Sequence, residues 1–175
     1  MDVVAQTRAW IEKVVVGCNF CPFALRELRQ GGIRYRVLGS PLEQSVFLGE
    51  LEHLDREASA STTFLILTQP DLGFEDYLGV VDQAQNWLED ADYEGIYQLA
   101  SFHPEYCFDG SRKDDAANFT NRSPYPMLHL LREDAVSAAI ESYRDAELIP
   151  DNNIRCARKH GLKHMRALLE SCRRD

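Results

Sequence analysis

From Asp2 onward the apolar residues Val4, Ile11, Val14 and Val15 recur at helical spacing, and Asp2 is placed to cap the first turn. After Gly17 a short second helix is expected over Pro22 to Gln30, with Phe23, Leu25 and Leu28 on its apolar side and Gly31-Gly32 ending it. Ile33, Tyr35 and Val37 then alternate with Arg34 and Arg36, the period of an edge strand with one wet face. Ser40-Pro41-Leu42-Glu43 reads as a capping box opening a helix whose Phe47, Leu51, Leu54 and Ala58 share a face. Thr62 to Leu67 is continuously apolar after two threonines, as expected of a central strand covered on both sides. Tyr77, Val81, Ala84, Leu88 and Ala91 form another helical stripe, and Gly95 releases the chain into a third strand, Ile96 to Phe102.

Strand, helix, strand, helix, strand is the pattern of crossover units. It predicts an α/β fold with a small, largely parallel sheet of about three strands. The remaining third is expected to be helical. Ser123-Pro124 looks like a cap followed by Pro at the first helical position, with Met127, Leu128 and Leu131 continuing the helix. Further helices are expected over Ala135 to Tyr143, Asn153 to His160 and Leu162 to Cys172. Between His103 and Arg122 no period is visible, and a loop of that length inside a folded domain is usually functional.

The composition leaves this reading in place and narrows the partners. A length of 175 residues suits one domain over 1–175, and 45% hydrophobic with 27% charged residues is ordinary for a globular chain. A net charge of −9 disfavours nucleic acid and anionic lipid as partners, the basic stretch Arg155 to Arg174 lacking interleaved aromatics or a binding motif. No apolar run approaches membrane-spanning length, and no signal-peptide pattern opens the chain, so the expected location is cytoplasmic. Five cysteines, an odd number, argue against a disulfide framework. Nothing in the sequence fixes an oligomeric state.

The chemistry gathers in the long loop and the segment after it, and three constellations can be drawn. His129 and Glu133, four apart on the expected helix, could join His103 as two histidines and a carboxylate around a divalent transition metal such as iron, zinc or manganese. The alternative is a satisfied buried His129 and a surface Glu133. Second, Asn121 and Arg122 just before a helix start could hold a small anionic molecule, with Arg122 either gripping the ligand or pinning the loop to Asp114 or Asp115. Third, Cys18-Asn19-Phe20-Cys21-Pro22 before a helix could lower a thiol pKa and serve a thiol oxidoreductase, although the segment before Thr62 has no Pro and only one strand follows Gly95.

The segments Cys21-Pro22-Phe23-Ala24, Ala100 to Pro104, Asn118 to Glu133 and Ile149 to Ile154 together resemble the bacterial and plastid family catalogued as domain of unknown function 1415. The resemblance covers nearly the whole chain and implies no established activity. It marks Cys21, His103, Asn118, Asn121, Arg122, Ser123, His129, Arg132 and Glu133 as hallmark positions, while Cys18 and Cys107 depart from the pattern. The expectation is therefore an enzyme acting on a small anionic metabolite. Its catalytic candidates are His103, Arg122, His129 and Cys21, and Asn118, Asn121, Ser123 and Arg132 join Arg122 around the ligand. A non-catalytic ligand-binding or assembly module is the competing class.

Overall fold

The structure, a computed structural model, describes residues 2–174. Asp2 caps α1 (Val3–Trp10) as its position suggested, accepting from the Val4 and Ala5 N–H groups at 3.0 and 3.1 Å. The helix runs on into a π-helical segment, Ile11–Val16. Next come α2 (Ala24–Gln30), β1 (Ile33–Leu38), α3 (Gln44–Arg56), β2 (Thr62–Leu67), α4 (Phe74–Asp90) and β3 (Tyr97–Phe102). The expected capping box does not form: α3 starts later, with Glu43 before its first turn, although Phe47, Leu51 and Leu54 are fully buried as anticipated.

The segment after the long loop corrects the sequence reading. Met127–Arg132 is a strand, β4, and the expected sheet of three largely parallel strands is a mixed four-stranded sheet in the order β1-β2-β4-β3. β1 and β2 are parallel, and β4 lies antiparallel to both β2 and β3. β1, β2 and β3 therefore do run the same way, as two crossover connections require, with β4 wedged between the second and the third. α5 (Glu133–Ser142), α6 (Ile149–His160) and α7 (Leu162–Cys172) complete the chain.

Each face of the sheet carries its own core. α3 and α4 bring Phe47, Leu51, Leu54, Tyr77, Ala84 and Leu88 onto Leu65, Leu67, Leu128 and Leu130. On the other face Trp10, Ile11 and Val14 pack with Met165 and Leu169 of α7 onto Phe64, Ile66 and Met127. Adjacent residues of β2 and β4 thus feed opposite cores, which is why apolar residues fall on both faces of each strand. No helix among the described residues is long and apolar enough to cross a membrane.

Candidate functional site

At the end of the sheet where β2 and β3 terminate there is a cleft of about 700 Å³. Open α/β sheets place their ligand crevices at this end of the parallel strands. One wall is the turn from β2 into α4, carrying Asp71, Leu72 and Gly73; a second is His103-Pro104-Glu105, leaving β3; Phe119 and Arg122 come from the long loop. α7 closes the cleft with Arg166, Leu169 and Glu170, and its C-cap Arg173 continues the same face.

The long loop is stitched rather than slack. Asn118, wholly buried, accepts from the Phe108 N–H at 3.1 Å and donates to the Arg112 carbonyl at 2.8 Å. Asn121 donates to the Ser101 carbonyl at 3.1 Å, and Ser123 to that of Tyr125 at 2.6 Å. These three expected ligand contacts are spent on the backbone, and their effect is to position Arg122 between them.

Arg122 is the residue they hold. It is only 9% exposed, its guanidinium lies 4.7 Å over the Phe119 ring, and it donates from Nε to the Tyr106 carbonyl at 3.0 Å and from Nη2 to the Lys113 carbonyl at 2.8 Å. Neither Asp114 nor Asp115 reaches it: Asp114 pairs with Arg112 at 2.9 Å and Asp115 with Arg158 at 2.8 Å. Among the described residues Nη1 has no hydrogen-bond partner and the guanidinium forms no ion pair; Glu105 is the one carboxylate that acts on it through its field. Burial lowers the guanidinium pKa and the nearby Arg166 charge pushes the same way, while Cys107 and Glu105 pull against them. Arg166 likewise makes no hydrogen bond or ion pair among the described residues. The first turn of α4 opens beside them at Gly73, which as N-cap offers no side chain to its amides.

His103 lines this cleft at 3% exposure, but both ring nitrogens are occupied. A carbonyl can only accept, so Nε2–H donates to Leu72 O at 3.1 Å and Nδ1 accepts from the Glu105 N–H at 3.0 Å. Burial lowers its pKa, so the ring is a neutral bracket between the two strand exits.

The expected metal triad is not assembled. His103 packs on Tyr77 and Phe74 of α4, whereas His129 lies on the opposite face of the sheet, its ring 3.8 Å from that of Phe64 and parallel to it within 8°. Because β4 is a strand and not a helix, His129 and Glu133 share no helical face. Glu133 opens α5 at the far end of the sheet from His103, its N–H bound to Ile96 O at 2.9 Å. Among the described residues no group of three or more His, Cys, Asp or Glu side chains is placed to hold a metal ion. Thr62 has one hydroxyl proton, which goes to Leu130 O, so His129 Nε2–H donates to Thr62 Oγ1 at 2.5 Å. Burial takes the His129 pKa down to about 3.

Arg132 also lies away from the cleft, at the end of β4, where it binds the carbonyls of Leu54, Glu57 and Ala60 and finishes α3. Cys21 stands before α2 with its thiol pKa raised by burial, against the pull of the Phe23 and Ala24 amides. Cys18 is buried too, and its neighbour is Cys156, whose thiol donates to the Cys18 carbonyl at 3.5 Å. The residues that sequence reasoning passed over are Asp71, Gly73, Glu105 and the α7 face. The Arg166-Glu170-Arg173 spacing was the available signal for that face.

With this geometry in view, comparison with known proteins gives one match. Residues 2–167 fit the family described as protein of unknown function DUF1415. The chain belongs to the DUF1415 family. No curated protein and no solved structure matches it. The block Asn118 to Glu133 thus divides in three: Asn118, Asn121 and Ser123 hold the cleft wall, Arg122 charges it, and His129, Arg132 and Glu133 serve the sheet and its far end.

Proposed function

We propose that this DUF1415 protein binds a small anionic metabolite in the cleft at the ends of β2 and β3. The observation that carries the reading is Arg122: a nearly buried guanidinium that forms no ion pair, its Nη1 unbound, beside Arg166, which forms none either. A buried cation without a counter-charge is costly, and an anion supplied from solution removes that cost. The N-terminus of α4 opens onto the same cleft at Gly73, where the helix dipole favours an anion. Because both His103 nitrogens are already bonded, the arrangement favours a ligand clamp over an acid–base enzyme built on His103.

The test is calorimetric titration with inorganic phosphate and with citrate. Arg166→Ala removes an exposed, unpartnered side chain, so it should leave the unfolding temperature of the unliganded protein unchanged while weakening anion binding by about tenfold or more. Equal affinity in wild type and variant, or no binding at millimolar anion, would falsify the assignment.

A further inference from the structure

We propose that the ligand taken by this cleft is zwitterionic, an anionic group joined by a short chain to an ammonium; this rests on the anion seat proposed above. The cleft is not simply positive. Alongside Arg122, Arg166 and Arg173 it is lined by three carboxylates, those of Asp71, Glu105 and Glu170. Arg173 and Glu170 cancel one another at 3.2 Å. Two guanidiniums and two carboxylates remain, and none of the four forms an ion pair among the described residues.

Opposite charges in one small cleft ordinarily collapse onto each other unless the frame holds them apart. Here the four have not paired. Arg122 is tethered through Nε and Nη2 to two carbonyls. Glu105 is fixed at its backbone by the N–H bond to His103 Nδ1 at 3.0 Å. Asp71 is set by a left-handed backbone, φ 64°, in the turn between β2 and α4. Glu105 nonetheless lies within electrostatic range of both Arg122 and His103, so whatever sits on Arg122 feels its charge. A ligand that is anionic throughout would answer the two guanidiniums and leave Asp71 and Glu105 facing an added negative group. An ammonium on the same molecule completes the pairing, the complementarity that charged sites use to select partners.

The experiment uses matched probes that differ only in the amine: O-phosphoethanolamine against ethyl phosphate, and glutamate against glutarate, each titrated calorimetrically into the full chain at pH 7. The amine-bearing member should bind about tenfold tighter or better. In the double variant Asp71→Asn with Glu105→Gln that ratio should fall to about one while ethyl phosphate still binds. Both substitutions replace exposed, unpaired carboxylates, so the fold survives them. Ethyl phosphate and glutarate binding as well as their amine-bearing partners would overturn the inference and leave the anion seat standing. A preference that persists in the double variant would overturn the assignment to Asp71 and Glu105. Failure of all four probes to bind would remove the anion seat and this inference together.

Discussion

Replacing Tyr77 by Phe removes one buried oxygen from a junction beside the cleft. The Tyr77 hydroxyl donates to the Met127 carbonyl at 2.7 Å and accepts the Phe102 N–H at 3.0 Å. Phe102 and Met127 are the final register pair of β3 and β4, so this hydroxyl ties α4 to the end of the sheet from which His103 departs. The ring keeps its volume in the variant, including its contact with His103 at 5.0 Å, so no cavity opens. What is lost is the acceptor of a backbone N–H, costing about 1–3 kcal/mol, and one donor to a buried carbonyl, costing about 1 kcal/mol. Together these give about 2–4 kcal/mol, a large share of the ~5–15 kcal/mol that holds a typical domain. With a urea slope of about 2 kcal/mol/M, the unfolding midpoint should fall by about 1–2 M with the slope unchanged. Tyr97→Phe is the internal comparison, since its hydroxyl bonds only side chains, donating to the exposed Asp55 at 2.6 Å and accepting from Arg132 at 3.3 Å, and strands no backbone group; it should cost less, about 1 kcal/mol. A Tyr77→Phe midpoint within about 0.3 M of wild type would refute the reasoning.

His129, with its folded pKa depressed to about 3, stays neutral where an unfolded histidine protonates near 6.5, so stability should decline as pH falls below about 6 by up to about 1.4 kcal/mol per unit. Imidazole resonances of His129 that titrate between pH 5 and 7 in the native protein would contradict this. Arg132→Met should lower stability by about 2–3 kcal/mol through the Leu54, Glu57 and Ala60 carbonyls it leaves unbound, yet leave phosphate affinity unchanged, and calorimetry on the variant reads both. Cys18 and Cys21, whose thiol pKa values are raised by burial, should react with iodoacetamide at pH 7 far more slowly than the same cysteines in urea; rapid native labelling of Cys21 would return the oxidoreductase reading to consideration.

The regular elements were legible in the sequence where one periodicity ruled. The stripe Tyr77, Ala84 and Leu88 is buried on α4, and Thr62 to Leu67 is a central strand buried at every position. The reading failed at Ser123 to Arg132, where Met127, Leu128 and Leu131 fit a helical face and also fit a strand covered on both sides. Pro124 and Pro126 carried the deciding hint, since the residues before them, Ser123 and Tyr125, are pushed toward extended backbone. From that one error followed the metal triad, because the spacing of His129 and Glu133 has chemical meaning only on a helix. Arg122 was legible as a charged group at a loop end. Its partners in the cleft were not, because Asp71, Glu105 and Arg166 are brought together by the crossing of three separate chain segments.

The placement of β4 has a consequence for how the molecule comes into being. Among the described residues β3 pairs only with β4, and β2 joins the two through the same late strand, so Phe64 awaits His129 and Phe102 awaits Met127. During synthesis the first two strands can pair as soon as Leu67 has emerged, but β3 then has no hydrogen-bonding neighbour until the loop from His103 to Arg122 has passed and β4 arrives. Loop closure over such separations slows folding. The strand that completes the sheet also follows closely on Arg122, so the sheet and the loop wall of the cleft mature together, before α7 arrives to close it.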